Sequence, residues 1–572
     1  MFRLLQTVFP RSAGRLTTPA LCQAVASATE AVIVALLVPL LAAVGTGASD
    51  VGLPRIAALE SFRVTVPQLL VWLTGAFVVR AAMHGAAVAS WSAGVEYFET
   101  LHREKLLRGL LSADVACQSR ETSGRLQHLL THHTESAARA YTALAWSGAH
   151  LIQVACLTLS AWILSPRPAL VTILALSSIV ALLRPLTKLG GAAAKRRAAA
   201  LAGYVHGIGQ CSSLLNELRI YGAAEAYLQR SSVASDAIAR ERRRQNFVGS
   251  ILPTLYQTSA GLFLLAGAAA IYFITGAAGT APVVSLLLLL RASSAAQHLH
   301  VTYHQLQDAR PSLEELVELE ARYDSSKVPT GGLPLARIER LELRGASFAY
   351  EADRPILSDV DFEIRRGDVV GIIGPSGAGK STLIQLLLAL RTPNRGSMLL
   401  NGMPFELFCR DEFYARSAFV AQEPAFFNES VAACIRFGRE SLVDSELEAA
   451  ARAAGLLEDI TRMPLGFEQS VGERGALLSL GQRQRLSIAR ALVGEPDLLV
   501  FDEPTAALDA DTEETIVATL AALRGRAITF VVTHRPALLR ACNKVLHVAD
   551  GGVRIESSAS GGRNVAETTA AA

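Results

Sequence analysis

"GPSGAGKST", Gly374 to Thr382, decides how the rest of the chain is read. It follows the apolar run "DVVGII" and precedes "LIQLLLALR", so a buried strand, a glycine loop and a helix succeed one another. Gly374, Gly379, Lys380 and Ser381 meet the spacing G-x-x-x-x-G-K-S. Glycines let successive backbone N–H groups turn inward on one anion, and the helix N-terminus adds partial positive charge. The whole loop is therefore the candidate phosphate cradle: Gly374, Pro375, Ser376, Gly377, Ala378, Gly379, Lys380, Ser381 and Thr382. Lys380 can reach the β- and γ-phosphates of ATP, and Ser381 offers a hydroxyl to Mg²⁺.

A second stretch, "DLLVFDEP" (497–504), completes that chemistry. An apolar strand ends in Asp502, where a carboxylate can hold Mg²⁺ directly or through water. Glu503 follows and is positioned to polarise an attacking water as general base. From about residue 337 onward, short β-like runs ("SMLLNG", "SAFVAQ", "ITFVVTH") alternate with helical stretches, the texture of an α/β domain with a mainly parallel sheet.

Together with "LSLGQRQR" (478–485), these residues resemble the ATP-binding cassette family over about 340–555. The resemblance implies further roles. Tyr350 in "FAY" is the aromatic that stacks on adenine. Gln422 in "FVAQEP" senses the metal and the membrane domain, and "VGERG" (471–475) is an exporter-type loop. Asp509 in "AALD" belongs to the loop at the dimer interface, and His534 in "VVTHR" contacts the γ-phosphate. Ser479, Gly481 and Gln482 reach the nucleotide held by a partner chain, so ATP joins two cassettes. The signature departs from the family's LSGGQ in one place, where Leu480 replaces the first glycine. No counterpart of the family's final helical segment follows "VLHVADGGVRIE".

The first part of the chain differs in kind. Apolar runs occur near 18–46, 66–92, 138–164, 168–187, 247–274 and 277–299, each close to or above the roughly 20 helical residues that span a bilayer core. The breaks "SPRP" (165–168) and "TGAAGTAP" (275–282) make hairpins of runs three and four and of runs five and six. Basic residues precede the first run and fill the long connections after the second (Arg103 to Arg125) and the fourth (Arg184 to Arg244), whereas the other connections hold only Arg55, Arg63 and Arg167. The positive-inside rule then puts both termini and the long connections in the cytoplasm, with a retained first helix rather than a cleaved signal peptide. The expected organisation is a six-helix transmembrane domain at 1–322, a linker at 323–336, a P-loop α/β nucleotide-binding domain at 337–556 and a disordered tail at 557–572. By layout the helical part resembles the exporter-type membrane domain. That implies swapped helices four and five and coupling loops at "ACQSRETSGRLQ" (116–127) and "LNELRIYGAAEAYLQR" (215–230).

Composition agrees with a membrane chain: 51% hydrophobic and only 18% charged, against the roughly one-quarter charged of soluble domains. A net charge of +3 is too small to argue for nucleic acid. Seven scattered cysteines without a CxxC pair speak against a disulfide or metal framework. Charges within or near the apolar runs (Glu30, Arg80, His84, Arg139 and Arg291) should face the bundle interior or a wet cavity, with Arg80 and Arg291 as candidate substrate-cavity residues. His298, His300 and His304 read as a solvated face.

The function expected is ATP-driven transport of an amphipathic substrate by alternating access, in the direction of export. Candidate cargoes are a lipid, lipid-linked sugar, drug, peptide or siderophore-like compound. The partners are a second half-transporter (an identical chain first, a different one as the alternative), membrane lipid and the substrate. The location is a bacterial inner membrane with the cassette cytoplasmic. The alternatives are siderophore or other small-molecule import on the same fold, a regulatory or channel-like member that uses ATP without pumping, and a soluble cassette ATPase acting on nucleic acid or ribosomes. No Cys/His peptidase-like segment precedes the first run, which speaks against a self-processing peptide exporter.

Overall fold

The computed structural model describes residues 13–46, 50–52, 63–121, 123–164, 166–275, 280–328, 331–351 and 354–557. The expected tail beyond Ser557, part of the linker and the first residues lie outside them. The chain divides into two compact units: the first extends to Lys327, and the second runs from Val328 and includes the short piece Asp114–Ala116.

Six long helices build the first unit: α1 Ala13–Thr46, α2 Val66–Ser112, α3 Thr134–Leu164, α4 Pro166–Ser213, α5 Ala224–Thr275 and α6 Thr280–Ser325. Each contains one of the six apolar runs. At 1.5 Å per residue, the 52 residues of α5 reach about 78 Å, far beyond a bilayer core of about 30 Å, so the polar connections continue as helix. Among the described residues, stretches long and apolar enough to cross a membrane lie within Thr17–Leu37, Val66–Ser112 and Gly124–Ile163. In the last three runs many side chains lie outside the described residues. A small antiparallel pair, β1 Asp50–Gly52 with β2 Arg63–Thr65, joins α1 to α2. Short helices at Val115–Gln118 and Leu215–Ile220 occupy the two expected coupling segments.

Apolar side chains such as Leu70, Val71, Phe77 and Val78 stay exposed on α2, as suits a helix whose surroundings are apolar. The polar residues turn inward instead. Glu30 is buried, with Arg80 Nη2 at 3.4 Å, Arg291 Nη1 at 3.7 Å and the Gln153 amide donating to it at 2.8 Å. A buried carboxylate persists only when paired in this way.

The expectation of a solvated histidine face on α6 needs correction. His304 is buried, 3.2 Å from Asp308, and packs against Gly190 of α4. His300 faces the ring of Tyr256. Helix packing, which a single helix's pattern does not encode, covers these two, while His298 stays exposed as expected.

The second unit carries β3 Arg340–Ala349, β4 Pro355–Arg365, β5 Val369–Ile373, β6 Arg395–Leu400, β7 Met403–Pro404, β8 Ser417–Val420, β9 Leu498–Asp502, β10 Ile528–Val532, β11 Lys544–Ala549 and β12 Gly552–Ser557. One sheet has the order β12-β11-β5-β10-β9-β8, and the other β4-β3-β6-β7. In the first, β11, β5, β10, β9 and β8 run parallel and β12 antiparallel. Strands β5, β9 and β10 are almost wholly buried, the mark of a parallel sheet covered on both faces. Alternation divides them: Leu498, Val500 and Phe530 enter one apolar cluster, and Leu499, Phe501 and Val531 the other.

Candidate nucleotide site

The carboxyl ends of β5, β9 and β10 point to one edge of the sheet, where open α/β folds bind ligands. Strand β5 ends at Ile373 and passes straight into the glycine loop. Helix α7, Lys380–Leu387, starts directly after it, with Gly379 as N-cap. Two glycines there are obligatory. Gly374 has φ 156° and a Cβ would collide with the carbonyl of Val548; Gly379 has φ 102° and a Cβ would lie 3.0 Å from Ile356 Cγ2. The crest Pro375–Ser376–Gly377 is exposed and Thr382 is buried under it. The loop thus presents backbone and little else, at a helix N-terminus, as a polyphosphate requires.

Lys380 Nζ donates to the carbonyls of Gly374 at 2.6 Å and Pro375 at 3.1 Å, and lies 3.3 Å from His534 Nε2. His534, just beyond β10, is brought against the loop although 154 residues separate it from Lys380. The Gln422 amide donates to Glu503 Oε2 at 3.1 Å. Glu503 adopts φ 49°, a left-handed conformation that costs a non-glycine residue on the order of 1 kcal/mol, and its N–H donates to the carbonyl of Val532 at 3.0 Å. Asp502, half-buried at the end of β9, has its carboxyl pushed above the usual aspartate range by burial and then by Glu503, against the pull of Lys380.

Tyr350 stands half-exposed beside the loop. Its hydroxyl donates to Gln385 Oε1 at 3.2 Å, and the Arg391 guanidinium sits over its ring at 4.7 Å. Arg391 was not legible in the sequence, because only folding places it over the ring.

The remaining expected residues sit elsewhere in the unit. Ser479 and Gln482 cap helix α8, Leu480–Leu492, reciprocally: Gln482 N donates to Ser479 Oγ at 3.1 Å, and Ser479 N to Gln482 Oε1 at 3.0 Å. Gly481 lies against Ala507, with 3.3 Å from an added Cβ to that carbonyl, and Leu480 is exposed. Asp509 caps helix α9, Ala510–Ala522, accepting from Thr512 N at 2.8 Å; that bond holds its carboxyl below the usual range. Buried Gln484, absent from the sequence reading, ties these parts together. Its amide donates to the carbonyl of Glu503 at 2.8 Å and accepts from Ala507 N at 3.1 Å.

Residues 357–506 match the family model described as ABC transporter. The chain is also similar to curated proteins over part of its length. The chain is 37% identical over 265 residues to a β-(1→2)glucan export ATP-binding/permease protein of Agrobacterium vitis, covering 45% of each. It is 40% identical over 220 residues to an ATP-dependent lipid A-core flippase of Chromobacterium violaceum, covering 38% of each. It is 32% identical over 261 residues to an ATM1-type heavy metal exporter of Novosphingobium aromaticivorans, covering 46% of this chain and 43% of that one. The matches thus span less than half the length of these relatives. In fold the likeness extends further. A bacterial Atm1-family ABC exporter with ATP bound superposes with TM-score 0.79 over 96% of both chains at 22% identity, so the exporter-type helical unit fused to a cassette is the observed fold.

Proposed function

We propose that this chain is one half of an ATP-driven exporter, with a membrane domain at 1–322 and a cassette at 337–556 joined by a linker at 323–336. The observation that carries the reading is the convergence of Lys380, His534, Gln422 and Glu503 at one sheet edge, in a chain whose other unit has the exporter fold.

In this reading the loop amides and Lys380 bind the β- and γ-phosphates, and Tyr350 stacks on the adenine. Ser381, Asp502 and Gln422 hold Mg²⁺, which supplies charge neutralisation on the phosphates. Glu503 orients and deprotonates the attacking water, and His534 steadies the γ-phosphate. Ser479, Gly481 and Asp509 act on the nucleotide of a second copy of the chain, which makes a closed dimer the hydrolytic state. Nucleotide closes the dimer only by the margin with which it binds that state better. The cassettes lie in the cytoplasm and the helices in a bacterial inner membrane.

The cargo cavity proposed is the space of about 220 Å³ lined by Glu30, Arg80, His84, Trp146, Gln153 and Arg291. Cations, a carboxylate and an aromatic wall suit an amphipathic molecule with an ionised group. A relative named as a flippase for lipid A-core is consistent with cargo of that kind. The test is ATPase stimulation by candidate amphiphiles in reconstituted vesicles, with Glu503→Gln as control. A stimulating compound that accumulates on the far side supports export, and stimulation undiminished in Glu503→Gln overturns the catalytic assignment.

A further inference from the structure

The helix leading into α3 is not regular. A short helix, Ser123–His128, runs into a π turn over Leu129–His133 before α3 begins. A π turn closes its hydrogen bonds one residue later than an α turn and widens the helix locally. In an α-helix, residues four apart share a face, but residues five apart diverge by about 140°. With the wider turn, positions i, i+4 and i+5 come onto one side. Here those positions are His128, His132 and His133.

Their geometry follows. The rings of His128 and His132 stack at 4.8 Å with 10° between planes, and His133 stands edge-on to His128 at 5.0 Å. One ligating nitrogen from each lies within 4.8 Å of the others. Among the described residues, His128 Nε2 and His132 Nδ1 are buried without a hydrogen-bond partner, an arrangement that costs free energy unless something is bound. His133 is buried, with its Nε2 3.5 Å from Glu315 of α6. A carboxylate behind an imidazole is the usual means of orienting a metal-binding histidine. His132 also borders a cavity of about 620 Å³, together with Ser136, Arg139 and Asp308, which gives an approach for a solvated ion.

We propose that His128, His132 and His133 bind one divalent transition-metal ion of the class that prefers imidazole, such as Zn²⁺ or Co²⁺. Nitrogen-to-metal bonds near 2.0–2.1 Å set the nitrogens about 3.3 Å apart in a tetrahedron, so the side chains must rotate to bring the three in-plane lone pairs onto one ion. Three protein ligands leave a fourth position, on the side of the cavity, for water or an exchangeable ligand. Neutral imidazoles with one carboxylate behind them favour such borderline ions over Mg²⁺ or Ca²⁺, which select oxygen.

The experiment uses the full chain, purified in detergent without a polyhistidine tag, and titrated with Co²⁺. The expected result is a visible ligand-field spectrum of low coordination number that saturates at one ion per chain and is displaced by Zn²⁺. His128→Gln and His132→Gln should each weaken binding by about tenfold or more, and His298→Gln should leave it unchanged. If a variant fails to fold, the unaltered chain decides alone. A six-coordinate Co²⁺ spectrum without saturation, or the same saturable spectrum in a His128/His132 double variant, would overturn the site.

Discussion

The side-chain amide of Gln422 donates a hydrogen bond to the carboxylate of Glu503 across 3.1 Å, and Gln484 fixes the backbone of the same glutamate from behind. Glu503 is therefore held at both ends, with its backbone in a left-handed conformation. Replacing it by glutamine keeps the shape and the link to Gln422 but removes the base. ATPase turnover should drop by about 10²–10⁴-fold, the range for a lost general base, while nucleotide still binds. Single-turnover hydrolysis and fluorescent-nucleotide binding check this, and turnover at the normal rate rejects Glu503 as base.

Lys380 satisfies the carbonyls of Gly374 and Pro375 and approaches His534. An alanine there removes the one cation inside the loop. Nucleotide affinity should fall by at least tenfold, since a hydrogen bond to a charged group contributes about 1.5–3 kcal/mol. Calorimetric titration with ATP measures it; unaltered affinity would mean that the backbone amides suffice.

The raised carboxyl of Asp502 gives a pH dependence with a definite sign. A folded-state pKa above the unfolded one stabilises the fold at low pH, and the gain is lost as pH rises through the raised value. A divalent cation needs the ionised form and so competes with the proton. Cation affinity should fall on acidification, beginning at a higher pH than an ordinary aspartate would set. Mn²⁺ binding followed by electron paramagnetic resonance across a pH series tests this, with Asp502→Asn flattening the profile. Affinity that is constant down to the ordinary aspartate range contradicts the assignment.

Asp497, buried at the start of β9, accepts from Arg366 at 2.6 Å, from Arg416 at 3.4 Å and from the Ile338 N–H at 3.2 Å. Asp497→Asn leaves these donors without a counter-charge and should cost the cassette about 2–3 kcal/mol, because removing one partner of a buried pair strands the other. Chemical denaturation of the full protein, read on the cassette transition, provides the measurement; a shift within experimental error would show the cluster to be dispensable.

Glu30 stands between Arg80 and Arg291. A double-mutant cycle of Glu30→Gln with Arg291→Gln should show coupling of about 0.5–1 kcal/mol in thermal stability, toward the low end because the arginines are partly exposed. Strict additivity would mean that the two residues do not interact.

The sequence alone determined what is local. The strand, glycine loop and helix around Lys380 are contiguous, and their conformations follow from glycine freedom, apolar runs and helix propensity acting over neighbouring residues. The same holds for the six apolar runs, each long enough for a helix to cross hydrocarbon, although the helices themselves continue well past them. The Ser479–Gln482 cap is likewise set within one turn. Tertiary structure decided what depends on distance in space. It placed His534 beside Lys380, put Arg391 over Tyr350, threaded Gln484 between two loops and buried His304 against a neighbouring helix. It also set Glu30 between two arginines from other helices. Partners so far apart in the chain meet only when packing brings their elements together, and no period or spacing in the sequence records which face will meet which.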